Sequence, residues 1–288
     1  MTGKLRHWLD RSGMGLLSPL VLLLLFVFIA PVLVMFPTSL RPYTPGIGIG
    51  KGWTLDQYAK ILVDPFYLEI IARTLGLGLL VTLLTLIVGY PLAYFMARTR
   101  SRLRHWLLIL IIFPLLLNLV VRSFGWIALL AKHGLVNELL IFVGLSEQPL
   151  ELMFNFTGLL IGLTHIFLPF MVLVLIGSLQ NISHDLEDAA AVLGARPAVV
   201  FAKVVLPLSV PGMLSGGILV FVLTISALVT PKLLGGPTYK VMSTIIYDQF
   251  LQLLNWPLGS AMAFVLTALA IILIALSSAL ARRWAPAR

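Results

Sequence analysis

The sequence predicts an all-α integral membrane protein that crosses the bilayer six times and keeps both termini in the cytoplasm. Three observations carry that expectation. Of 288 residues, 60% are hydrophobic and only 11% charged, with a mean hydropathy of +1.05, whereas a soluble globular chain carries roughly a quarter charged residues. Six apolar segments have about the 20 residues that a spanning helix needs. Lysine and arginine are shared unevenly between alternate loops, and the richer side faces the cytoplasm.

The first span is expected over about Pro19 to Phe36, with Ser18 and Pro19 as cap and first-turn pair. Lys4, Arg6 and Arg11 before it imitate a secretory signal, but no small-residue cleavage site follows, so the segment reads as an uncleaved span. An outer loop rich in proline and glycine runs from about Thr38 to Tyr67, with a short helix over Leu55 to Leu62. The second span covers about Leu68 to Met96, and Arg98, Arg100, Arg102 and Arg104 form a compact basic loop after it. The third span starts at Trp106, is interrupted by Pro114, Asn118 and Arg122, and ends near Leu130. A loop from Ala131 to Phe154 leads to the fourth span, about Phe156 to Leu179. A polar segment from 180 to 208 precedes the fifth span, Pro211 to Val229. Thr230-Pro231 and Gly235-Gly236-Pro237 open another outer loop, and the sixth span is Pro257 to Leu280. The expected organisation is a cytoplasmic segment 1–14, one transmembrane domain 15–281 and a cytoplasmic segment 282–288.

Twelve lysines and arginines fall in the termini, the 98–104 loop and the 180–208 segment, against six in the three loops opposite. That bias places the polar segment on the cytoplasmic side. Trp8, Trp106, Trp256 and Trp284 lie near span ends, as an interfacial aromatic belt requires. The net charge of +9 is therefore a membrane-orientation signal. A nucleic-acid binder would gather its bases with aromatics on a solvated face, and no nucleic-acid partner is expected. The chain has no cysteine, which removes disulfides and thiolate metal sites from consideration.

The polar segment is the part with chemistry of its own. Asp185, Glu187 and Asp188 fall in the first turn of an expected helix, where the dipole favours carboxylates, and Ser183 or His184 is placed to cap it. Ala189, Ala190 and Ala191 favour helix and carry almost no bulk, so another surface can approach closely. Gly194 ends the run and Pro197 opposes its continuation. A short, rigid, shallow helix results.

Asp188-Ala189-Ala190, then Gly194, Val204 and Leu206-Pro207 at fixed intervals, resemble the E-A-A-x3-G-x9-I-x-L-P signature of the permease subunits of binding-protein-dependent ABC importers. Asp188 and Val204 are the two conservative departures. Gly89 to Tyr94, Val121 to Phe124, Leu168 to Leu173 and Val229 to Gly236 resemble the spermidine/putrescine-type permeases, a group that also takes opines and aminophosphonates. The resemblance implies the type I importer permease fold and a small amino compound as solute. It also implies a coupling helix seated in an ATPase subunit through Glu187, Asp188, Ala189, Ala190 and Gly194, with Val204, Leu206 and Pro207 behind it. The implied partners are an ATPase dimer, a second permease that is a different sister chain, an extracytoplasmic substrate-binding protein and the lipid bilayer. No G-x-x-x-x-G-K-[ST] loop is present, so ATP and Mg²⁺ are expected in the ATPase, and no cofactor or metal in this chain.

Within the spans, Arg122 at membrane depth would cost about 2.5 to 3.5 kcal/mol on insertion scales. With Asn118 and Trp126 one turn to either side it either lines the translocation pathway or is a structurally paired or snorkelling residue. Thr230-Pro231 either unwinds the fifth helix toward the solute or ends it. Arg73 is expected to pair with Glu69 on its own helix. His165 is expected to be a hydrogen-bonded core histidine, and Gly158-x3-Gly162 and Gly212-x3-Gly216 to be helix contacts. An ion-coupled secondary carrier is the alternative function, but the acids Glu69, Glu151 and Asp248 lie at span ends or in outer loops and no inverted repeat is visible. No paired Ser-His, Asp-Asp or His-x-x-x-His set within spans suggests an intramembrane enzyme.

Overall fold

A computed structural model of the chain describes residues 2–99 and 101–284, with side chains over 19–99 and 101–279. Arg100 and Arg288 of the orientation count lie outside the described residues, and the side chains of the other terminal bases and of Trp8 and Trp284 are likewise outside them. Twelve α-helices and one two-stranded hairpin are described: α1 (Thr2–Ser39), β1 (Tyr43–Thr44), β2 (Gly48–Ile49), α2 (Asp56–Val63), α3 (Pro65–Arg98), α4 (Leu103–Leu116), α5 (Leu119–Leu130), α6 (Leu135–Phe142), α7 (Phe156–Gln180), α8 (His184–Val192), α9 (Pro197–Val200), α10 (Leu206–Ser226), α11 (Met242–Leu251) and α12 (Trp256–Trp284). Wide π turns at Phe201–Val205 and Pro231–Gly235 precede and follow α10.

Among the described residues, six stretches of helix are long and apolar enough to cross a membrane: Pro19–Ser39, Pro65–Arg98, Leu119–Phe142, Phe156–Gln180, Pro197–Ser226 and Trp256–Ala279. The starts of several are fixed by polar caps in the sequence. Asp64 accepts from the Phe66 amide at 2.9 Å ahead of Pro65, Asn118 from Val120 at 2.8 Å, and Asn155 from Gly158 at 3.0 Å. Each cap satisfies an amide that the helix itself leaves without a partner.

The fold departs from the sequence expectation at four places. Ser18 and Pro19 do not open the first helix, since α1 continues through them from Thr2. The third span is not one helix over Trp106 to Leu130. It breaks at Leu117–Asn118, whose backbone turns extended, because Asn118 recruits the amide that would otherwise continue the ladder, and the long apolar run then extends through α5 and α6 to Phe142. The fifth helical stretch starts at Pro197 instead of Pro211; Pro207 and Pro211 are absorbed within its early turns. Finally, the segment between α10 and α12 holds the unexpected helix α11.

The core is built by α3, α7 and α10, which pack most extensively on one another. Leu77, Val81 and Met96 of α3 meet Leu163, Met171, Leu175 and Leu179 of α7 and Val220 of α10, all buried. Gly212 and Gly216 bring α10 this close to α7. Gly158 instead faces the Leu152 carbonyl of the preceding loop and Gly162 faces the Pro231 turn, so that pair is not the contact between helices that the sequence suggested. A Cβ on Gly212 would stand 2.1 Å from the Ser178 Oγ, one on Gly216 2.8 Å from the Met171 Sδ, and one on Gly162 2.5 Å from Leu234. A second cluster, Ile61, Tyr67, Ile70, Met242, Ile245 and Leu258, joins α2, α3, α11 and α12 at the opposite end. Leucine, valine and phenylalanine are exposed over much of the helix surface, most completely on α1, where lipid tails solvate them as well as a protein interior does.

Candidate functional site

The Asp188 to Gly194 segment folds as α8, and its sequence explains both ends. Ser183 is the N-cap, its Oγ accepting from the Asp185 amide at 3.2 Å. Asp185 and Glu187 occupy the first turn, where the helix dipole is positive. At the other end the Gly194 amide donates to the Ala191 carbonyl at 2.9 Å and the Ala195 amide to the Ala190 carbonyl at 3.1 Å. That pair of bonds is a Schellman turn, and it requires the left-handed φ of +85° that Gly194 adopts.

No residue of α8 is buried. Asp188, Ala189 and Gly194 are exposed, Ala190 is half-buried, and Val192 and Leu193 are each 88% exposed. Two bare aliphatic side chains beside a low alanine surface form a shallow apolar face with an acidic rim. Val192 and Leu193 escaped the sequence reading, where they stood as signature spacers; the i, i+4 steps from Asp188 to Val192 and from Ala189 to Leu193 put them on the outward side.

Glu187 turns the other way. Its carboxylate forms an ion pair with Arg98, the last residue of α3, and the two side chains are only 17% and 12% exposed. Arg98 Nη1 also donates to the carbonyls of Leu179 and Ile182, both at 3.2 Å, capping the end of α7. In the sequence Arg98 was one of four bases in a loop, with nothing to single it out.

Val204, Leu206 and Pro207 lie within the helical stretch leading into α10. The Leu206 amide reaches back five residues to the Phe201 carbonyl. Pro207 has no N–H to donate, and the widened turn before it accommodates that missing bond. Val204 and Leu206 are half-buried and Pro207 is exposed.

The second set of predicted residues gathers where α5 meets α7 and the Pro231 turn. Arg122 is half-buried; its Nε and Nη1 have no hydrogen-bond partner, and among the described residues no carboxylate pairs with it. One turn on, Trp126 Nε1 donates to His165 Nδ1 at 3.0 Å, which makes that imidazole nitrogen an acceptor. His165 is thus the bonded histidine that the sequence suggested. Asn118 is exposed and its side-chain oxygen is engaged as the α5 cap. Thr230, 1% exposed, meets the Ser123 hydroxyl at 3.2 Å, and Pro231 is buried beside it. Pro231 starts a turn rather than ending a helix: the chain leaves helix at Ala227, four residues earlier. Arg73 pairs with Glu69 at 2.5 Å, as expected, and also lies over the Tyr239 ring.

An apolar recess of about 420 Å³ lies between α3, α10 and α12, walled by residues such as Leu83, Met213, Phe221 and Ile274. It contains no charged side chain and has nothing with which to orient a polar solute. No group of three or more His, Cys, Asp or Glu suited to hold a metal occurs among the described residues.

Comparison with known proteins draws these features together. The sequence profile of the binding-protein-dependent transport system inner membrane component matches residues 89–286. The spermidine/putrescine transport system permease protein PotB of Salmonella typhimurium (strain SL1344) is 35% identical over 245 residues, 85% of this chain and 85% of that protein. The inner membrane ABC transporter permease protein YdcU of Escherichia coli (strain K12) is 33% identical over 238 residues, 78% of this chain and 74% of that one. A chain of the bacterial alginate ABC transporter, crystallised with an alginate pentasaccharide-bound periplasmic protein, superposes with a TM-score of 0.78 at 19% identity, covering 96% of each chain.

Proposed function

The chain belongs to the inner membrane components of binding-protein-dependent ABC importers, and from that membership we propose that it carries a small amino compound, of polyamine type, across the inner membrane under the drive of a separate ATPase. It is a multi-pass permease subunit and not a catalytic enzyme. Importers of this kind work as assemblies of permease, ATPase and substrate-binding protein. The observation that carries the reading is α8: a doubly capped helix whose exposed face is Asp188, Ala189, Val192 and Leu193 while Glu187 ties it to the membrane helices.

In this reading both termini and the 180–208 segment are cytoplasmic, in keeping with the lysine and arginine bias. Glu187, Asp188, Ala189, Ala190 and Gly194 form the coupling element with Val204, Leu206 and Pro207 behind it. ATP and Mg²⁺ belong to the ATPase dimer. A different sister permease completes the pathway and an extracytoplasmic binding protein delivers the solute. The ATPase cycle acts by fitting one permease conformation better than the other.

The polyamine assignment leans on the relation to PotB. Arg122, half-buried without a carboxylate partner among the described residues, favours a second reading in which the amino compound also bears an anionic group, as opines and aminophosphonates do. Asn118, Trp126, Thr230 and Pro231 lie with it in the proposed pathway region. The deciding experiment is uptake of radiolabelled spermidine, with an aminophosphonate in parallel, by cells expressing the full system with an active or a hydrolysis-deficient ATPase. Spermidine uptake that needs ATP hydrolysis is the expected result. Uptake that survives loss of hydrolysis would establish the ion-coupled carrier instead.

A further inference from the structure

The inner end of α3 carries a stripe that the importer signature does not include. Tyr90, Tyr94 and Arg98 are spaced i, i+4, i+8, so they stack along one face over roughly 12 Å of helix. Together they hold the segment that leads from α7 into α10. Arg98 holds Glu187 of α8 and, through the Leu179 and Ile182 carbonyls, the end of α7. Tyr94 and Tyr90 both present ring edges to Phe201, the first residue of the π turn, at centroid distances of 5.2 and 5.9 Å. The Ser209 hydroxyl donates to the Leu206 carbonyl at 2.8 Å, which leaves the Tyr90 hydroxyl to donate to Ser209 at 2.8 Å. One row of side chains thereby meets α8, the π turn and the first turn of α10.

The other connections of α8 are its two flanking turns and its packing on α9 and the π turn. On one side α8 joins the body through the short turn at Asn181 and Ile182, and on the other through Gly194 to Arg196. Both are loops that can bend under load. Among the described residues, the Glu187–Arg98 pair is the one ion pair from α8 to a membrane-crossing helix, and the Tyr94 hydroxyl lies beside it. Removing one partner of a largely buried pair leaves the other charge uncompensated, so the bond resists separation more than a surface pair would.

The geometry points to Arg98, backed by Tyr94 and Tyr90, as the receiving face through which displacement of α8 is delivered to α3 and α7. Arg98 and Glu187 are positioning residues: they touch neither solute nor nucleotide, and they keep α8 and the two core helices moving as one body. This inference rests on the coupling role proposed above for α8. Its specific content is that the force leaves α8 through Glu187, on the face opposite the one that meets the ATPase.

The experiment uses the complete transporter in lipid nanodiscs. The native chain has no cysteine, so with partner subunits made cysteine-free, single cysteines at Leu79, Leu83 and Leu86 of α3 can be labelled with a maleimide without background. Labelling rates are compared with and without ATP and vanadate, and the ATPase co-purifying with the permease is measured in the same samples. The wild type should show a trapping-dependent change at one or more sites. In Glu187→Gln and Arg98→Gln that change should shrink by about fivefold or more while the ATPase still co-purifies, and Arg98→Lys, which keeps the charge, should retain most of it. A normal response in Glu187→Gln overturns the inference, because force then bypasses the pair. Loss of the ATPase in Glu187→Gln overturns it too, since Glu187 would then belong to the docking face. A wild type that responds at none of the three sites counts against the coupling role of the chain itself, an outcome recognisable before any variant is compared.

Discussion

Substituting Gly212 by alanine tests the helix packing on which everything else is mounted. The added Cβ would lie 2.1 Å from the Ser178 Oγ and 2.3 Å from the Ser178 Cβ. Carbon atoms rest about 3.5 to 4.0 Å apart, so α7 and α10 would have to separate by more than an ångström, and rotation of the hydroxyl alone cannot relieve a clash with Cβ. Overpacking of this kind costs about 1 to 3 kcal/mol, which for a chain of this size corresponds to a fall in unfolding temperature of roughly 2 to 5 °C. The structure also supplies the rescue. With Ser178 changed to glycine, the nearest remaining atom is the residue's own Cα at 3.8 Å, an ordinary contact. Thermal unfolding of the purified chain in detergent should therefore rank wild type first, the Ser178→Gly/Gly212→Ala double variant next and Gly212→Ala last. The reasoning is refuted if Gly212→Ala unfolds within about 1 °C of wild type, or if the double variant is no more stable than the single one, since the two helices would then not be in the contact described.

Further outcomes concern the loop and the pathway. Gly194→Asp should abolish ATP-driven uptake and uncouple or detach the ATPase while leaving solute binding by the external protein intact. The left-handed φ of +85° costs a non-glycine residue about 1 kcal/mol, and no atom lies within 4 Å of the new Cβ, so the chain should still fold; normal transport in this variant would contradict the coupling role. Leu193→Asp, at a site 88% exposed, should leave the unfolding temperature within about 1 °C and sharply reduce ATPase co-purification; unchanged co-purification would place the docking face elsewhere. For Arg122→Ala, uptake at matched membrane levels should fall severalfold, and unaltered uptake would make the residue structural.

What the sequence revealed, and what it hid, follows from the range of each signal. The spanning helices are legible because apolar length is a local property and lipid imposes it without regard to neighbours. The α8 caps are legible for the same reason: Ser183 and Gly194 act on amides and carbonyls within a few residues of themselves. The break at Leu117–Asn118 was half visible. Pro114 and Asn118 marked an interruption, yet only the structure shows that Asn118 starts a new helix by capping it. Misplacing the fifth span came from treating Pro207 and Pro211 as a boundary, when a π turn before them lets the helix run through.

The Arg98–Glu187 bond illustrates a different limit. The partners are 89 positions apart in numbering, each in a segment where charged residues are ordinary, and neither carries a local mark of burial. Their pairing exists because α3 and α7 end at the same level, so that α8, folding back from α7, lays its first turn against the last residue of α3. Had Glu187 been a solvated residue of the docking face, its carboxylate would be as exposed as that of Asp188 beside it. Its burial instead divides the two adjacent acids between the two faces of one helix, Asp188 toward whatever docks from outside and Glu187 toward the membrane core. A signature written as sequence spacing records the outward face and the stop signal, and passes over the residue that ties α8 to the end of α3.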